Sequence, residues 1–211
     1  MKPVIFTVSF VIFLTLILPV GLTFVVRNIP GDVQPPLKDT KKIYGQYIYY
    51  QSFISPRDNL VGIGVSLKNP RFVNKNYTFF NLYDDKDTII RKVDLRGENI
   101  ADGQFVKILF EPVAASLNKK FTWSISSPDS TKDDSLEVFL TDKKPIWSRE
   151  FKVNNEISQD SLSYVTLHKT NSSMQVLRMV FSQFFYKMSG DVIFSGILAV
   201  LLLSLLVYLL F

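Results

Sequence analysis

The aromatic residues of this chain are its best candidates for binding chemistry. Tyr47, Tyr49 and Tyr50 crowd one segment, and Trp147 lies in a second segment that also contains lysine, proline and arginine. Sugars lie on aromatic faces while polar groups orient their hydroxyls, and small-ligand sites usually combine both kinds of group. The four residues are therefore candidate glycan-binding residues. The alternative is ordinary packing, because tyrosine is frequent in strands and at membrane interfaces.

Acidic residues supply a second candidate site. Asp84, Asp85 and Asp87 cluster in one short segment. A Ca²⁺ ion takes several oxygen ligands, and loop carbonyls can complete its shell. These carboxylates are therefore a candidate calcium site, and the alternative is a solvated acidic turn.

Catalytic signatures are otherwise sparse. The chain has no cysteine, and its one histidine is His168, which we expect to have a surface or packing role. No nucleophile elbow, zinc-binding HExxH helix or phosphate loop occurs. Gly62 and Gly64 alternate with apolar residues in a strand-like run, which favours close packing of a neighbour over a phosphate-binding role. We predict a non-enzymatic protein without a cofactor, apart from the calcium ion considered above.

The charge distribution argues against a nucleic-acid partner. The chain has 24 lysines and arginines against 19 acidic residues, and its basic residues are scattered singly or in pairs. Such a pattern is typical of a solvated surface. The alternative is a patch for anionic glycans or lipid headgroups.

An apolar run without charge lies near each end of the chain, at residues 3–26 and 192–211. Residues 3–26 and 191–211 are each long enough for a helix that crosses the hydrocarbon core, which takes about 20 apolar residues. The first run is longer than the apolar part of a signal peptide, and no small-residue cleavage site follows it. We predict an uncleaved anchor there, with a cleaved signal peptide as the alternative, and a second transmembrane helix at 191–211.

The orientation follows from the kind of domain between the two helices. A count of flanking charges would put that domain inside, but the positive-inside rule loses force for long loops. A β-rich domain tied at both ends is most useful outside. We predict a two-pass cell-membrane protein with both termini cytoplasmic and the main domain extracytoplasmic.

Between the ends, the apolar pattern has a period of two over residues 43–170. Phe121, Trp123 and Ile125 alternate with polar residues, and Leu136, Val138 and Leu140 alternate around Glu137. Turn-forming clusters separate such runs, which predicts eight or nine short antiparallel strands in a β-sandwich or jelly roll. Residues 27–42 contain prolines and a glycine without apolar periodicity, which predicts a linker.

Residues 174–189 have a helical spacing instead. Leu177, Phe181 and Phe184 follow one face, and Arg178 and Lys187 lie off it. An amphipathic helix of this composition suits the headgroup zone of a membrane. The alternative is that its apolar face packs on the sandwich.

Several runs resemble a known kind of domain. They are YQSFISP (50–56), FNLYD (80–84), FEPV (110–113), SLNKKFTWSISSP (116–128) and DSLSY (160–164). Together they resemble a carbohydrate-binding-module-like jelly-roll domain of bacterial membrane proteins, as found with membrane glycosyltransferases of surface-polysaccharide pathways. The resemblance covers residues 43–168. It implies a jelly roll in the cell envelope, and it transfers no sugar-contacting residue.

Three functions fit these features. The first is a membrane-anchored protein whose extracytoplasmic domain binds a glycan or a protein partner in cell-envelope polysaccharide assembly or export. The second is a structural, accessory subunit of a larger membrane complex, in which the small residues Ser195, Gly196 and Ala199 would pack on another transmembrane helix. The third is the non-catalytic N-terminal part of a multi-span glycosyltransferase.

Overall fold

A computed structural model describes residues 28–32, 34–144, 146–154, 156–170, 172–190 and 196. The predicted membrane segments 3–26 and 191–211 lie outside the described residues, apart from Gly196. Within the described part of the chain, no helix is long and apolar enough to cross a membrane. The chain divides into two units, one of residues 30–169 and one formed by the chain on either side of it.

The described residues form thirteen β-strands, two short 3₁₀ helices and one α-helix. The strands are β1 (Asn28–Pro30), β2 (Asp39–Ile43), β3 (Ile48–Ile54), β4 (Leu60–Lys68), β5 (Tyr77–Tyr83), β6 (Ile89–Arg96), β7 (Gln104–Val113), β8 (Lys120–Ser126), β9 (Leu136–Thr141), β10 (Ser148–Val153), β11 (Glu156–Ser158), β12 (Ser161–Leu162) and β13 (Tyr164–Lys169). The 3₁₀ helices are Pro70–Phe72 and Gly97–Asn99, and α1 is Ser173–Gly190.

The strands build two antiparallel sheets. In the first sheet, β4 pairs with β7 and β13, and the end of β4 pairs with β9. Strand β9 in turn pairs with β2 and β12. The second sheet has the order β11-β10-β3-β8-β5-β6. The prediction of a mainly β, antiparallel sandwich is therefore confirmed.

Large side chains from both sheets fill the space between them. In β8, the residues Phe121, Trp123 and Ile125 are buried, as their alternation predicted. The Trp123 ring meets the edge of Tyr164 from the first sheet, with 5.7 Å between ring centroids. Burying each such side chain contributes about 1.5–3 kcal/mol, so the contact between the two sheets holds the fold together.

The glycines of β4 lie beneath close neighbours, as the sequence pattern indicated. A Cβ atom on Gly64 would come within 2.2 Å of the Phe105 ring, and one on Gly62 within 2.6 Å of the Ile108 carbonyl oxygen. Both neighbours belong to the adjacent strand β7. These glycines therefore serve packing between strands.

Part of the predicted linker is ordered against the first sheet. Strand β2 lies within residues 27–42 apart from its last residue, Ile43, and pairs with β9. Further upstream, the Ser163 hydroxyl donates to the Pro35 carbonyl oxygen over 3.2 Å. Ile43 is the only fully buried residue of β2. The strand therefore lacks the alternating apolar pattern by which a strand is predicted.

Helix α1 occupies the residues for which the spacing predicted a helix. Near its start, the Ser172 hydroxyl accepts a hydrogen bond from the Gln175 backbone N–H over 3.4 Å. Serine is a favoured residue before a first turn because it satisfies such free N–H groups. The placement of this helix at a membrane surface stays a proposal.

A buried polar cluster joins the two sheets at one edge. The Gln51 amide of β3 is fully buried. Its nitrogen donates to the Ser148 hydroxyl over 2.9 Å, and its oxygen accepts from the Ser161 hydroxyl over 3.0 Å and from the Leu162 backbone N–H over 3.1 Å. Both ends of the amide are thus satisfied, which buried polar groups require.

Replacing Gln51 with leucine is expected to lower the free energy of unfolding by about 2 kcal/mol, because the Leu162 N–H would lose its partner inside the protein. Urea unfolding of the full chain in mild detergent measures the change. The matched control is Gln46→Leu, the same substitution at an exposed position of the preceding turn. Equal stability of the two variants would contradict the role of the cluster.

Candidate functional site

The outer face of the second sheet carries a row of polar and aromatic side chains. Pairing between the strands places Lys152, Tyr50, Ser124, Asn81 and Lys92 side by side across β10, β3, β8, β5 and β6. Because successive strand residues point to opposite faces, these five residues share the face that points away from the core. We call them the outer row.

Aromatic rings form the centre of this face. The ring centroids of Tyr50 and Tyr83 lie 6.2 Å apart at an angle of 52°. The Tyr83 hydroxyl lies 3.4 Å from the Ser124 hydroxyl. Burial, and secondarily Tyr83, raise the pKa of Tyr50 above its usual value. The Tyr50 hydroxyl is therefore neutral at physiological pH and can donate a hydrogen bond.

Asn81 adds an amide group beside the rings. Its side-chain oxygen is shielded from solvent and accepts no hydrogen bond from the residues that the structure describes. Leaving such an acceptor unpaired costs about 1–3 kcal/mol. A ligand hydroxyl that reached this oxygen would gain a hydrogen bond at an atom that has already lost its water.

Lysines mark both ends of the outer row. The Lys152 ammonium lies 2.8 Å from a Glu150 carboxylate oxygen, and Lys92 is exposed. Exposed ion pairs contribute little, typically up to about 1 kcal/mol, so a ligand can compete for the Lys152 ammonium. The row can thus supply donors, acceptors and ring faces to one polar ligand.

Tyr49 lies on the other face of the same strand. It is buried in the core, its ring stacks on Phe151 at 6.2 Å, and its hydroxyl donates to the Lys42 carbonyl oxygen over 2.7 Å. Burial, aided by Tyr47 and Tyr44, raises the pKa of Tyr49 to about 12. Its contacts are those of a core residue.

The other two candidate aromatic residues lie at opposite ends of β3. Tyr47 is half-exposed just before the strand and meets Tyr44 edge-on at 5.0 Å. The Trp147 carbonyl oxygen accepts from the Ile54 N–H over 2.9 Å. Ile54 lies four residues beyond Tyr50, or about 13 Å along the strand. Of the four predicted residues, Tyr50 is the one that the structure places in the outer row.

The predicted calcium ligands share the turn between β5 and β6. One Asp84 carboxylate oxygen accepts from the backbone N–H groups of Lys86, over 3.0 Å, and Thr88, over 2.9 Å. This is a turn-stabilising role that aspartate commonly plays. Among the residues that the structure describes, no three acidic or histidine side chains are grouped so that they could hold a metal ion.

His168 is buried within the first sheet. Its Nδ1 lies 3.2 Å from the Asp58 carbonyl oxygen, and its Nε2 lies 2.9 Å from the Thr166 hydroxyl. Because a carbonyl only accepts, Nδ1 carries the proton and the Thr166 hydroxyl donates to Nε2. This arrangement holds a neutral imidazole.

The sequence contained part of the signal for the outer row. Asn81 and Tyr83 are two positions apart and therefore share one face of a strand. The sequence does not show which strand lies beside them. By its fold, the chain is an antiparallel β-sandwich protein. No protein-family model matches the chain, and no curated protein matches it either.

Proposed function

We propose that this chain is a non-enzymatic, membrane-anchored protein whose sandwich domain binds a glycan in cell-envelope polysaccharide assembly or export. The observation that carries the proposal is the outer row, in which Tyr50 and Asn81 are brought together from strands β3 and β5. Ring faces with convergent donors and acceptors are the chemistry that recognises sugars.

The pairing of the strands supports a jelly roll. Strand β3 pairs with β10, β4 with β9, and β5 with β8. These pairs are nested one inside another along the chain, as they are when a long antiparallel hairpin rolls up into a sandwich. The jelly-roll form agrees with the resemblance to carbohydrate-binding modules.

The apolar ends support anchoring to a membrane. Residues 3–26 and 192–211 contain no charged residue, and runs of this length suit transmembrane helices. We propose two spans with both termini cytoplasmic and the sandwich extracytoplasmic. Helix α1 would then lie along the membrane surface before the second span.

A protein partner is the second candidate. Ile157 on β11 is 70% exposed and Ile89 on β6 is 47% exposed, and these strands are the two edges of the second sheet. At an exposed apolar edge strand, a segment of another chain can pair with the sheet as an additional strand. The chain would then be an accessory subunit of a larger membrane complex.

Replacing Tyr50 with alanine is expected to weaken glycan binding about 30-fold, the effect of losing a central aromatic contact worth about 2 kcal/mol. The full chain in mild detergent is first screened on an array of envelope polysaccharide fragments. Titration calorimetry then compares wild type and variant on the best fragment.

The matched control is Tyr47→Ala, the same change at a half-exposed tyrosine outside the outer row, which should leave the affinity unchanged. Asn81→Ala should weaken binding in the same direction as Tyr50→Ala. If no fragment binds, or if Tyr50→Ala and Asn81→Ala bind like wild type, the glycan function is wrong.

A further inference from the structure

The chain enters and leaves the sandwich unit at one end. The Gly31 N–H donates to the Thr166 carbonyl oxygen over 2.8 Å, close to the first residue of the unit. The N–H of Lys169, its last residue, donates to the Asn59 carbonyl oxygen over 2.9 Å. The chain therefore enters and leaves the sandwich unit where β4 begins and β13 ends. We call this end of the unit the junction end.

Three loops meet at the junction end and are tied to one another. The Ile54 N–H donates to the Trp147 carbonyl oxygen over 2.9 Å, which joins loop 142–147 to the end of β3. The Leu117 N–H donates to an Asp58 carboxylate oxygen over 3.0 Å, which joins loop 114–119 to loop 55–59. The three loops therefore form one surface.

This surface combines exposed apolar side chains with basic ones. Ile146 is 75% exposed, Leu117 is 47% exposed, and Trp147 is half-buried. The exposed basic residues of the same loops and strand ends are Arg57, Lys119, Lys120, Lys143, Lys144 and Arg149. Tryptophan with bulky aliphatic residues and lysines is the composition of surfaces that sit in the headgroup zone.

Acidic residues at the junction end reduce the net positive charge of this surface. Asp58 and Asp142 belong to the same loops, but Asp58 already accepts the Leu117 N–H. The acidic turn with Asp84, Asp85 and Asp87 lies at the β5–β6 corner, at the far side of the second sheet from β10. The basic residues outnumber the acidic ones beside β10, β3 and β8, where Trp147 lies.

The length of the chain fixes how far this end can stand from a membrane. Val26 ends the first apolar run and lies four residues before Pro30, a separation that spans at most about 14 Å. If residues 3–26 cross a bilayer, the junction end is held within reach of the headgroups. The exposed Ile146 and lysines, together with the half-buried Trp147, would then face lipid headgroups.

We propose that the junction end docks on anionic lipid headgroups, with Ile146, Trp147 and Leu117 entering the interface and Lys143 and Lys144 facing the phosphates. This proposal rests on the membrane anchoring in the proposed function. It gives Trp147 a lipid-contacting role in place of the sugar-binding one predicted from the sequence. The outer row would then stay free for its ligand.

The tryptophans of the chain provide the probe. There are two, Trp123 and Trp147, and Trp123 is fully buried in the core. The full chain is reconstituted into vesicles of phosphatidylcholine with or without phosphatidylglycerol, made with plain or brominated acyl chains that quench nearby tryptophan. Alkaline carbonate extraction and flotation show in parallel whether the chain is integrated.

We expect brominated phosphatidylglycerol vesicles to quench the emission of the wild-type chain but not that of Trp147→Phe, in which Trp123 remains. Lys143→Gln/Lys144→Gln should lose most of the quenching, since each lysine near an anionic surface changes the docking equilibrium about fivefold. The matched control is Lys75→Gln/Lys132→Gln, an equal charge change at exposed residues of the opposite end, which should be quenched like wild type.

Unquenched Trp147 in a chain that floats with the vesicles would overturn the docking proposal and leave membrane anchoring intact. Equal quenching in vesicles with and without phosphatidylglycerol would overturn the preference for anionic lipid. Release of the chain by carbonate would overturn the anchoring itself, and with it the distance limit on which the docking proposal depends.

Discussion

Replacing Trp123 with alanine is expected to lower the free energy of unfolding by about 3–5 kcal/mol, the range for removing a large aromatic side chain from a packed core. Trp123 is fully buried. Its ring stacks on Phe80 within its own sheet at 5.8 Å and meets Tyr164 of the other sheet at 5.7 Å. The substitution would thus open a cavity where the two sheets meet.

Urea unfolding of the full chain in mild detergent, followed by far-ultraviolet circular dichroism, measures this loss without relying on tryptophan emission. The matched control is Trp147→Ala, because Trp147 is half-buried in a loop and surface substitutions usually change stability by less than about 1 kcal/mol. Equal losses for the two variants would contradict the central position of Trp123.

Acidification is expected to destabilise the sandwich through His168. Burial is the main cause that lowers the pKa of His168 from 6.5 to about 4, with the charge of Arg57 acting in the same direction and Asp58 opposing it. In the unfolded chain, the imidazole takes up a proton below about pH 6.5. In the folded chain, it does so only near pH 4, so the folded state favours the neutral form.

The stabilisation is therefore fully present above about pH 6.5 and is lost as the pH falls toward 4. The lowered pKa corresponds to a loss of about 3 kcal/mol in the free energy of unfolding between pH 6.5 and 4. Unfolding free energies measured at several pH values test it, with His168→Gln as the comparison because it removes the titration and leaves every carboxylate in place. If wild type and His168→Gln lose stability in parallel between pH 6.5 and 4, the assignment to His168 is wrong.

The sandwich was predictable because several of its strands, such as β5, alternate strictly. Thr78, Phe80 and Leu82 are buried in β5, and the residues between them face outward. A period of two reports directly which side chains face a core. Strand β2 was not predicted by this pattern, because it pairs with β9 through backbone hydrogen bonds and buries only Ile43.

The candidate site was less predictable, because β3 is polar on both faces. Its inner face includes Gln51 beside Tyr49, and its outer face includes Tyr50 beside Ser52. The apolar pattern therefore did not decide which tyrosine faces the core. The outer row also depends on the register of Tyr50 with Ser124, a pairing of distant segments that no local pattern contains.

Photocrosslinking with diazirine-bearing fragments of envelope polysaccharide is the most direct test of glycan binding by the outer row. The full chain in mild detergent is irradiated with the fragment, and the modified peptides are mapped by mass spectrometry. We predict saturable crosslinks on strands β3, β5 and β8 that unlabelled fragment competes away. Crosslinks that do not saturate, or that fall only on loop 142–147, would contradict the proposed site.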